Sequence, residues 1–221
     1  LKHNYNAGAV VPVSDGAVLL DGTGDYISIT EQDLSVNDTA YSFAFWAKRN
    51  TITSWDTVLG HSTDPNYVSS SWIFFDDAGG DRLMIESITD NDNLTGAISM
   101  IASKWYHFAI CLGTDGTGQI YQDGAKVTTT GDGSDSPLGA HLKFNRIGMT
   151  SNHPFNGYLC NLAYWNKTLT QPQVKSIMFK SYADLNSDDT TSLISWWNLD
   201  EGAGTTATDS HGSNNGSATF T

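Results

Sequence analysis

Apolar and polar residues alternate with a period of two in several short segments of this 221-residue chain. The clearest cases are residues 41–48 and 106–112, where an apolar side chain stands at every second position. This alternation predicts strands with one buried face. The pair Asp123-Gly124, a strong hairpin signal, separates two such segments. Short strands at this spacing, with no helical pattern between them, predict an all-β sandwich or barrel.

One segment has helical periodicity instead. Thr170 precedes a Gln-Pro pair, which is the arrangement of an N-cap followed by an early-turn proline. Apolar residues then recur at helical spacing, which predicts one short helix over residues 171–182, covering one end of the sandwich. The polar stretch at residues 90–93 is predicted to be a solvated turn, and a second polar stretch, at 186–191, separates the helix from the next strand-like segment.

Six short motifs follow one another in a fixed order along most of the chain. They are residues 20–27 (LDGTGDYI), 43–46 (FAFW), 104–109 (KWYHFA), 121–124 (YQDG), 155–159 (FNGYL) and the Leu-Thr pair after 165–168 (WNKT). Together they resemble the concanavalin A-like and laminin G-like jelly-roll domain superfamily, of the kind found in environmental bacteriophage structural proteins. The resemblance implies a jelly-roll β-sandwich of two antiparallel sheets. It implies little about function, because this fold hosts many functions.

The length suits a single sandwich domain over residues 1–221. Residues 1–14 are predicted to form an extended N-terminal arm, and residues 193–221 a C-terminal strand and loop that complete the sandwich. In the superfamily, a stretch like 193–204 usually opens a module. It contains Trp196 and Trp197, which are too apolar to stay in solvent. It could also pair with a neighbouring subunit or begin a second module, but we favour completion of its own fold.

Charge narrows the range of partners. There are 24 acidic and 11 basic residues, giving a formal net charge of −13. This charge repels nucleic acid and anionic membrane surfaces. No apolar run approaches the ~18 residues that a membrane span requires, so no membrane insertion is expected. Cys111 and Cys160 form no C-x-x-C pair and are predicted to be buried thiols.

Calcium is the candidate cofactor, because Asp21 and Asp25 flank a glycine-rich turn. Carboxylate and carbonyl oxygens are the ligands that Ca²⁺ prefers. The resemblance implies a further acidic residue in the strand near residue 160. Cys160 stands there, and because a thiol is a poor calcium ligand, Asn161 or Asp200 would have to replace it. Alternatively, Asp21 only accepts hydrogen bonds from its own turn.

Catalytic signatures are missing from the sequence, and the chain is predicted not to be an enzyme. A glycosidase needs two carboxylates ~5–9.5 Å apart across the bond that it cleaves. The strand glutamate Glu86 lies between Ile85 and Ser87, outside the Glu-x-Asp-x-x-Glu pattern of related hydrolases. Neither a G-x-S-x-G nor an H-E-x-x-H motif occurs.

Sugar binding requires an aromatic side chain with polar neighbours. Trp72 and Tyr67 are the candidate ligand-binding residues, and Trp55 lies near the same polar loops. Packing in the core is the competing explanation for these aromatic residues.

The main functional expectation is a non-catalytic structural module on a virion surface, as a capsid decoration or a tail or fibre protein that contacts other virion or surface proteins. The alternative is a lectin-like adhesion module that binds a cell-surface glycan, and a glycan-degrading enzyme ranks third. Each expectation places the chain on a virion surface or outside the cell, and homo-oligomerisation stays open.

Overall fold

The computed structural model describes residues 11–14, 16–34, 40–52, 55–61, 71–77, 79–87, 92–114, 117–131, 142–150 and 152–221. The strands are β1 (Val18–Asp21), β2 (Tyr26–Asp33), β3 (Tyr41–Arg49), β4 (Asp56–Gly60), β5 (Ser71–Asp76), β6 (Arg82–Ser87), β7 (Asp92–Ala97), β8 (Tyr106–Leu112), β9 (Gly118–Gln122), β10 (Ala125–Lys126), β11 (Thr129–Gly131), β12 (Lys143–Ile147), β13 (Met149–Thr150), β14 (His153–Pro154), β15 (Asn156–Trp165), β16 (Leu193–Trp197), β17 (Thr206–Ala207) and β18 (Gly216–Thr219). The helices are α1 (Gln171–Met178) and α2 (Ser187–Thr190), and a 3-10 turn spans Tyr182–Asp184.

The strands form two large antiparallel sheets. In the front sheet the strand order is β11-β7-β6-β5-β4-β12-β2-β18-β17. In the back sheet the order is β1-β15-β3-β8-β9-β10, and β16 also pairs with β15. A small ladder joins β13 to β14. This arrangement confirms the predicted all-β sandwich of two antiparallel sheets.

The core lies between the sheets and is formed by the apolar positions of the alternating strands. Phe45 and Phe108 of the back sheet meet Phe75 of the front sheet, with ring centroids 6.3 Å and 5.2 Å from that of Phe75. Edge contacts between aromatic rings add to the free energy gained by burying their apolar area. The side chains that alternate with these core residues therefore project from the two outer faces.

The two helices cover the outer face of the back sheet. Val174 and Ile177 of α1 are buried there, and the indole N–H groups of Trp46 and Trp165 donate to the carbonyls of Met178 (3.1 Å) and Asp189 (2.7 Å). The short helix predicted from the sequence is therefore present, but it covers the outer face of the back sheet and not one end of the sandwich.

Three predictions of secondary structure from the sequence need correction. Helix α1 ends at Met178, four residues before the predicted end, and Tyr182 instead opens the 3-10 turn. The sequence predicted one helix, but the polar stretch at 186–191 contains a second, α2, because the Asn186 side chain accepts hydrogen bonds from the first amides of that helix. Of the predicted turn at 90–93, residues 90–91 lie outside the described residues, and Asp92 and Asn93 belong to strand β7, which pairs with β6 along its whole length.

The C-terminal segment contributes a strand to each sheet. Strand β16 pairs with β15 of the back sheet, and β18 pairs with β2 of the front sheet. The buried carboxylate of Asp209 accepts hydrogen bonds from the backbone amides of Trp196, Gly212 and Asn214. Burial alone would raise the pKa of Asp209, but these amides outweigh burial and lower it. The Asp209 carboxylate is therefore charged, and its hydrogen bonds fix the loop between β16 and β18.

Cys111 and Cys160 are buried free thiols, as predicted. Burial raises the pKa of Cys111 to about 11, so its thiol stays protonated at neutral pH. Of the predicted arm at residues 1–14, residues 1–10 lie outside the described residues, and residues 11–14 form no regular element. Within the described part of the chain, no helix is long and apolar enough to cross a membrane.

Candidate functional site

A stack of aromatic rings lies on the outer face of the front sheet. In β5, Ile73 and Phe75 point into the core, so Trp72 and Phe74 point outward. The Trp55 ring stacks on both outward rings, at 5.4 Å from each centroid. Trp72 is only 5% exposed, whereas Trp55 is 40% exposed. Trp55 is therefore the ring that offers its surface to a ligand, and Trp72 supports it.

The backbone of Trp55 is in an unusual conformation. Its φ of 74° lies in the left-handed region, which bulky residues rarely adopt. The amide of Trp55 donates to the carbonyl of Phe75 at 2.8 Å and so fixes this conformation. Such conformations cost on the order of 1–3 kcal/mol and cluster at functional sites. The backbone of Trp55 is therefore strained in the conformation that leaves its indole ring partly exposed at the surface.

The β13–β14 ladder closes one side of this stack. The His153 ring lies 5.4 Å from both Trp55 and Trp72. The ladder lies close to Gly60 of β4, where an added Cβ would come within 2.6 Å of the Thr150 Cβ. Burial lowers the pKa of His153, so its ring is uncharged at neutral pH. We call Trp55, Trp72, Phe74 and His153 the front-face cluster.

Polar groups adjoin the cluster along a row that crosses the strands. Glu86 of β6 lies opposite Trp72 on one side and Asn93 of β7 on the other. The Trp72 indole N–H donates to Glu86 Oε2 at 3.0 Å. Burial raises the pKa of Glu86, although this hydrogen bond lowers it. The exposed ring of Trp55 and the carboxylate of Glu86 thus both contact Trp72. An aromatic ring of this kind can stack on an apolar ligand face, and the carboxylate and amide oxygens can accept hydrogen bonds from ligand hydroxyl groups.

The sequence located this site only in part. Trp72, predicted to be the binding ring, belongs to the cluster but lies beneath Trp55. Tyr67, the other predicted ligand-binding residue, lies outside the described residues. His153 was missed, because it comes from a ladder that is distant in sequence. The alternation in β5, with two aromatic rings on the face opposite the core residues, is the signal that could have indicated the cluster.

The four candidate calcium ligands fall into two separate pairs. Asp21 lies opposite Asn156 in β15, and Asn161 is five residues further along that strand, roughly 16 Å away. The Asn161 side chain donates to the carbonyl of Val13 at 3.1 Å. Asp200 is near Cys160, where burial and then this carboxylate raise the pKa of the thiol to about 12.

The pair Asp21 and Asp25 is held by hydrogen bonds of the chain itself. Asp21 Oδ1 accepts from the amide and hydroxyl of Thr23. The two carboxylate oxygens of Asp25 accept from the amides of Asp21 and Thr221. Among the described residues, no group of three or more His, Cys, Asp or Glu side chains is placed to hold a metal ion. Calcium at this turn stays a prediction from the sequence.

Two antiparallel sheets packed face to face, with few helices, define a concanavalin A-like β-sandwich. Residues 21–175, more than two thirds of the chain, match the laminin G-type family described as the concanavalin A-like lectin/glucanases superfamily. The chain belongs to this superfamily.

Similar solved structures include proteins from bacteria and from a bacteriophage. A candidate carbohydrate binding protein from Bacteroides ovatus has a TM-score of 0.67 and 19% identity over 92% of this chain and 58% of that chain. The CBM40 of Ruminococcus gnavus IT-sialidase, bound to alpha2,3 sialyllactose, has a TM-score of 0.54 and 13% identity over 78% of this chain and 100% of that chain.

The enzymatically active domain of tailspike protein 2 from bacteriophage CBA120 has a TM-score of 0.54 and 14% identity, over 83% of this chain and 30% of that chain. At these identities the likenesses show the fold alone. This chain spans less than two thirds of the Bacteroides ovatus protein. No curated protein matches the sequence.

Proposed function

We propose that this domain is a non-catalytic glycan-binding module, with the front-face cluster as its binding surface. The observation that carries the proposal is Trp55, which is held in a left-handed conformation with its ring exposed over Trp72 and Phe74. An exposed indole ring stacks on the C–H face of a sugar, because both surfaces are flat and apolar. The sugar hydroxyls then donate to Glu86 and Asn93 beside it.

The superfamily and its structural relatives support this proposal. The name of one similar structure includes carbohydrate binding, and another, the CBM40 of a sialidase, is bound to alpha2,3 sialyllactose. A module that binds glycans of a cell surface works outside the cell, so we place the domain there. The similarity to a bacteriophage tailspike concerns the fold, and the virion-surface role stays a prediction, as does homo-oligomerisation.

The surroundings of Glu86 support a role without catalysis. Glycosidases use a second carboxylate at ~5–9.5 Å. The residues directly opposite Glu86 on the neighbouring strands are Trp72 and Asn93, and neither is a carboxylic acid. The Glu86 carboxylate is therefore suited to accepting hydrogen bonds from a ligand.

The test is a glycan array followed by titration calorimetry on the bound glycan. We expect Trp55→Ala to weaken binding at least tenfold, or about 1.4 kcal/mol. Trp105→Ala is the matched control, because Trp105 contacts Tyr158 on the outer face of the back sheet, and it should leave the affinity unchanged. Equal affinity of the Trp55 variant and the wild type would remove the front-face cluster as the binding surface.

A further inference from the structure

The sequence around the front-face cluster has a strong excess of acidic residues. Residues 50–103, which contain Trp55, Trp72, Phe74 and Glu86, include eight acidic residues and a single basic one, Arg82. Asp56 and Asp76 are neutralised by ion pairs with Arg49 and Arg82, and the other acidic residues leave this stretch of the sequence with a net negative charge at neutral pH. Clefts and faces lined by one sign of charge attract the opposite charge and repel their own.

The basic residues of the front-sheet strands already have partners. They are Arg82, Lys143 and Arg146. Arg82 forms an ion pair with Asp76, and the Lys143 ammonium lies 2.7 Å from the Asp33 carboxylate. The Arg146 guanidinium lies 4.2 Å from the centroid of the Tyr26 ring. Recognition of a carboxylate or sulfate depends on charged donors of this kind, and here they are engaged by groups of the protein.

Glu86 is a charged group in direct contact with the front-face cluster. Its Oε2 is fixed by the Trp72 indole, and the residue is only partly buried. Because burial raises the pKa of Glu86, the charged form is disfavoured in the folded state and does not stabilise the fold. A carboxylate that lowers stability beside an exposed indole ring is consistent with a role in contacting a ligand.

We infer, building on the proposed glycan-binding function, that the front-face cluster selects uncharged glycans and rejects glycans that carry sialic acid, uronic acid or sulfate. Glu86 determines this specificity in two ways. Its carboxylate accepts hydrogen bonds from sugar hydroxyls, and it repels an anionic substituent placed over the cluster. The excess of acidic residues in the sequence around the cluster also disfavours anionic glycans.

The experiment compares matched pairs of glycans that differ in one charged group, such as lactose with alpha2,3 sialyllactose and neutral oligosaccharides with their sulfated or uronic acid forms. We expect each neutral member that binds to do so at least tenfold more tightly than its charged counterpart. Equal or tighter binding of the charged members would overturn the inference while leaving glycan binding in place. Binding to no member of the panel would overturn the proposed function itself.

Two variants separate the role of Glu86 from that of the overall charge. Glu86→Gln keeps the shape and an acceptor for the Trp72 indole, and we expect it to reduce the preference for neutral glycans severalfold. Asp188→Asn removes the same charge from an exposed position on α2, at the opposite face of the sandwich, and should leave the preference unchanged. An unchanged preference in Glu86→Gln, or an equal loss in both variants, would refute the specificity role of Glu86.

Salt gives an independent readout. The Debye length falls from about 30 Å at 0.01 M to about 3 Å at 1 M ionic strength. Repulsion of the charged glycans should therefore weaken in high salt, and the discrimination between paired glycans should shrink. A preference that is the same at both ionic strengths would exclude charge repulsion as its cause.

Discussion

The two outer faces of the sandwich have similar aromatic side chains but differ in what covers them. On the back sheet, Trp46, Trp165 and Trp196 are each 2% exposed or less, because α1, α2 and their connecting turns lie over them. On the front sheet, Trp72 and Phe74 stack against another indole ring, that of Trp55, which is 40% exposed. Aromatic residues on the outer face of the back sheet thus form a second core under the helices, whereas the aromatic cluster described on the front sheet keeps one indole ring exposed.

The polar partners of the indole rings show the same difference. The indole N–H groups of Trp46 and Trp165 donate to backbone carbonyls, which satisfies a buried donor without burying a charge. The Trp72 indole donates to the Glu86 carboxylate, whose pKa burial raises. The back face is therefore arranged for stability, whereas the front face retains a charged group at some cost in stability.

The largest expected effect comes from removing one tryptophan from each face. Trp165→Ala should lower the free energy of unfolding by about 3–5 kcal/mol, because it leaves a cavity under the helices and an unpaired Asp189 carbonyl. Trp55→Ala should lower it by less, about 1–2 kcal/mol, because the residue is 40% exposed and therefore buries less apolar area. Urea denaturation measures both values. Similar losses of unfolding free energy in the two variants would contradict the inference that the back-face tryptophans stabilise the fold more than Trp55 does.

The next effect concerns a histidine on each face. Burial lowers the pKa of His107, on the back face, from 6.5 to about 3, so the folded protein keeps this ring neutral. The unfolded chain takes up the proton below about pH 6.5, so stability is lost as the pH falls, by up to about 2 kcal/mol at about pH 5. We expect His107→Phe to flatten this slope between pH 7 and pH 5. His153→Phe should flatten it less, because His153 is less buried.

Denaturation at the two pH values gives these slopes directly. The comparison uses the slope and not the absolute stability, because any core substitution changes packing. If His107→Phe kept the wild-type slope, another group would have to account for the loss in acid.

The smallest expected effect is that of calcium at the turn of residues 21–25. If Ca²⁺ binds the folded state there, millimolar calcium should raise the melting temperature by about 2–4 °C relative to excess EDTA. Asp21→Asn keeps the acceptor for Thr23 and should abolish the shift. Identical melting curves for the wild type in calcium and in EDTA would remove the calcium prediction.

The fold could be predicted from the sequence where a local pattern determines it. The alternation in β3 and β8 and the Asp123-Gly124 turn placed their strands correctly. Strand β7 was missed at its start because Asp92 and Asn93 have low strand propensity, and pairing with β6 overrides that propensity. Helix α2 was missed although its cap is local, because the Asn186 side chain accepts hydrogen bonds from the amides of Asp188 and Asp189. The ion pair between Lys180 and Asp189, which connects α2 to the chain after α1, is a contact that local spacing does not contain.

The candidate site was harder to predict than the fold. The sequence singled out Trp72, but the exposure of Trp55 depends on a left-handed backbone and on stacking across strands. His153 reaches the cluster only because the β13–β14 ladder lies against Gly60. Glu86 was noted for lacking a catalytic partner, whereas its neighbours in the structure indicate hydrogen bonding instead. Binding surfaces on a sheet combine residues that are distant in sequence, and a single sequence does not show which of them meet.

The pairing of β2 with β18 has a consequence for how the protein is made. Thr30 donates its amide to Asn214, 184 residues away, and Thr221 donates to Asp25, 196 residues away. Until residues 216–219 have left the ribosome, one edge of β2 has no partner strand within the described sheet. Pairings over such separations form slowly, and an open edge strand can pair with another nascent chain. We therefore expect the middle of the front sheet to form first and its closure by β18 to be the step at which misassembly competes with folding.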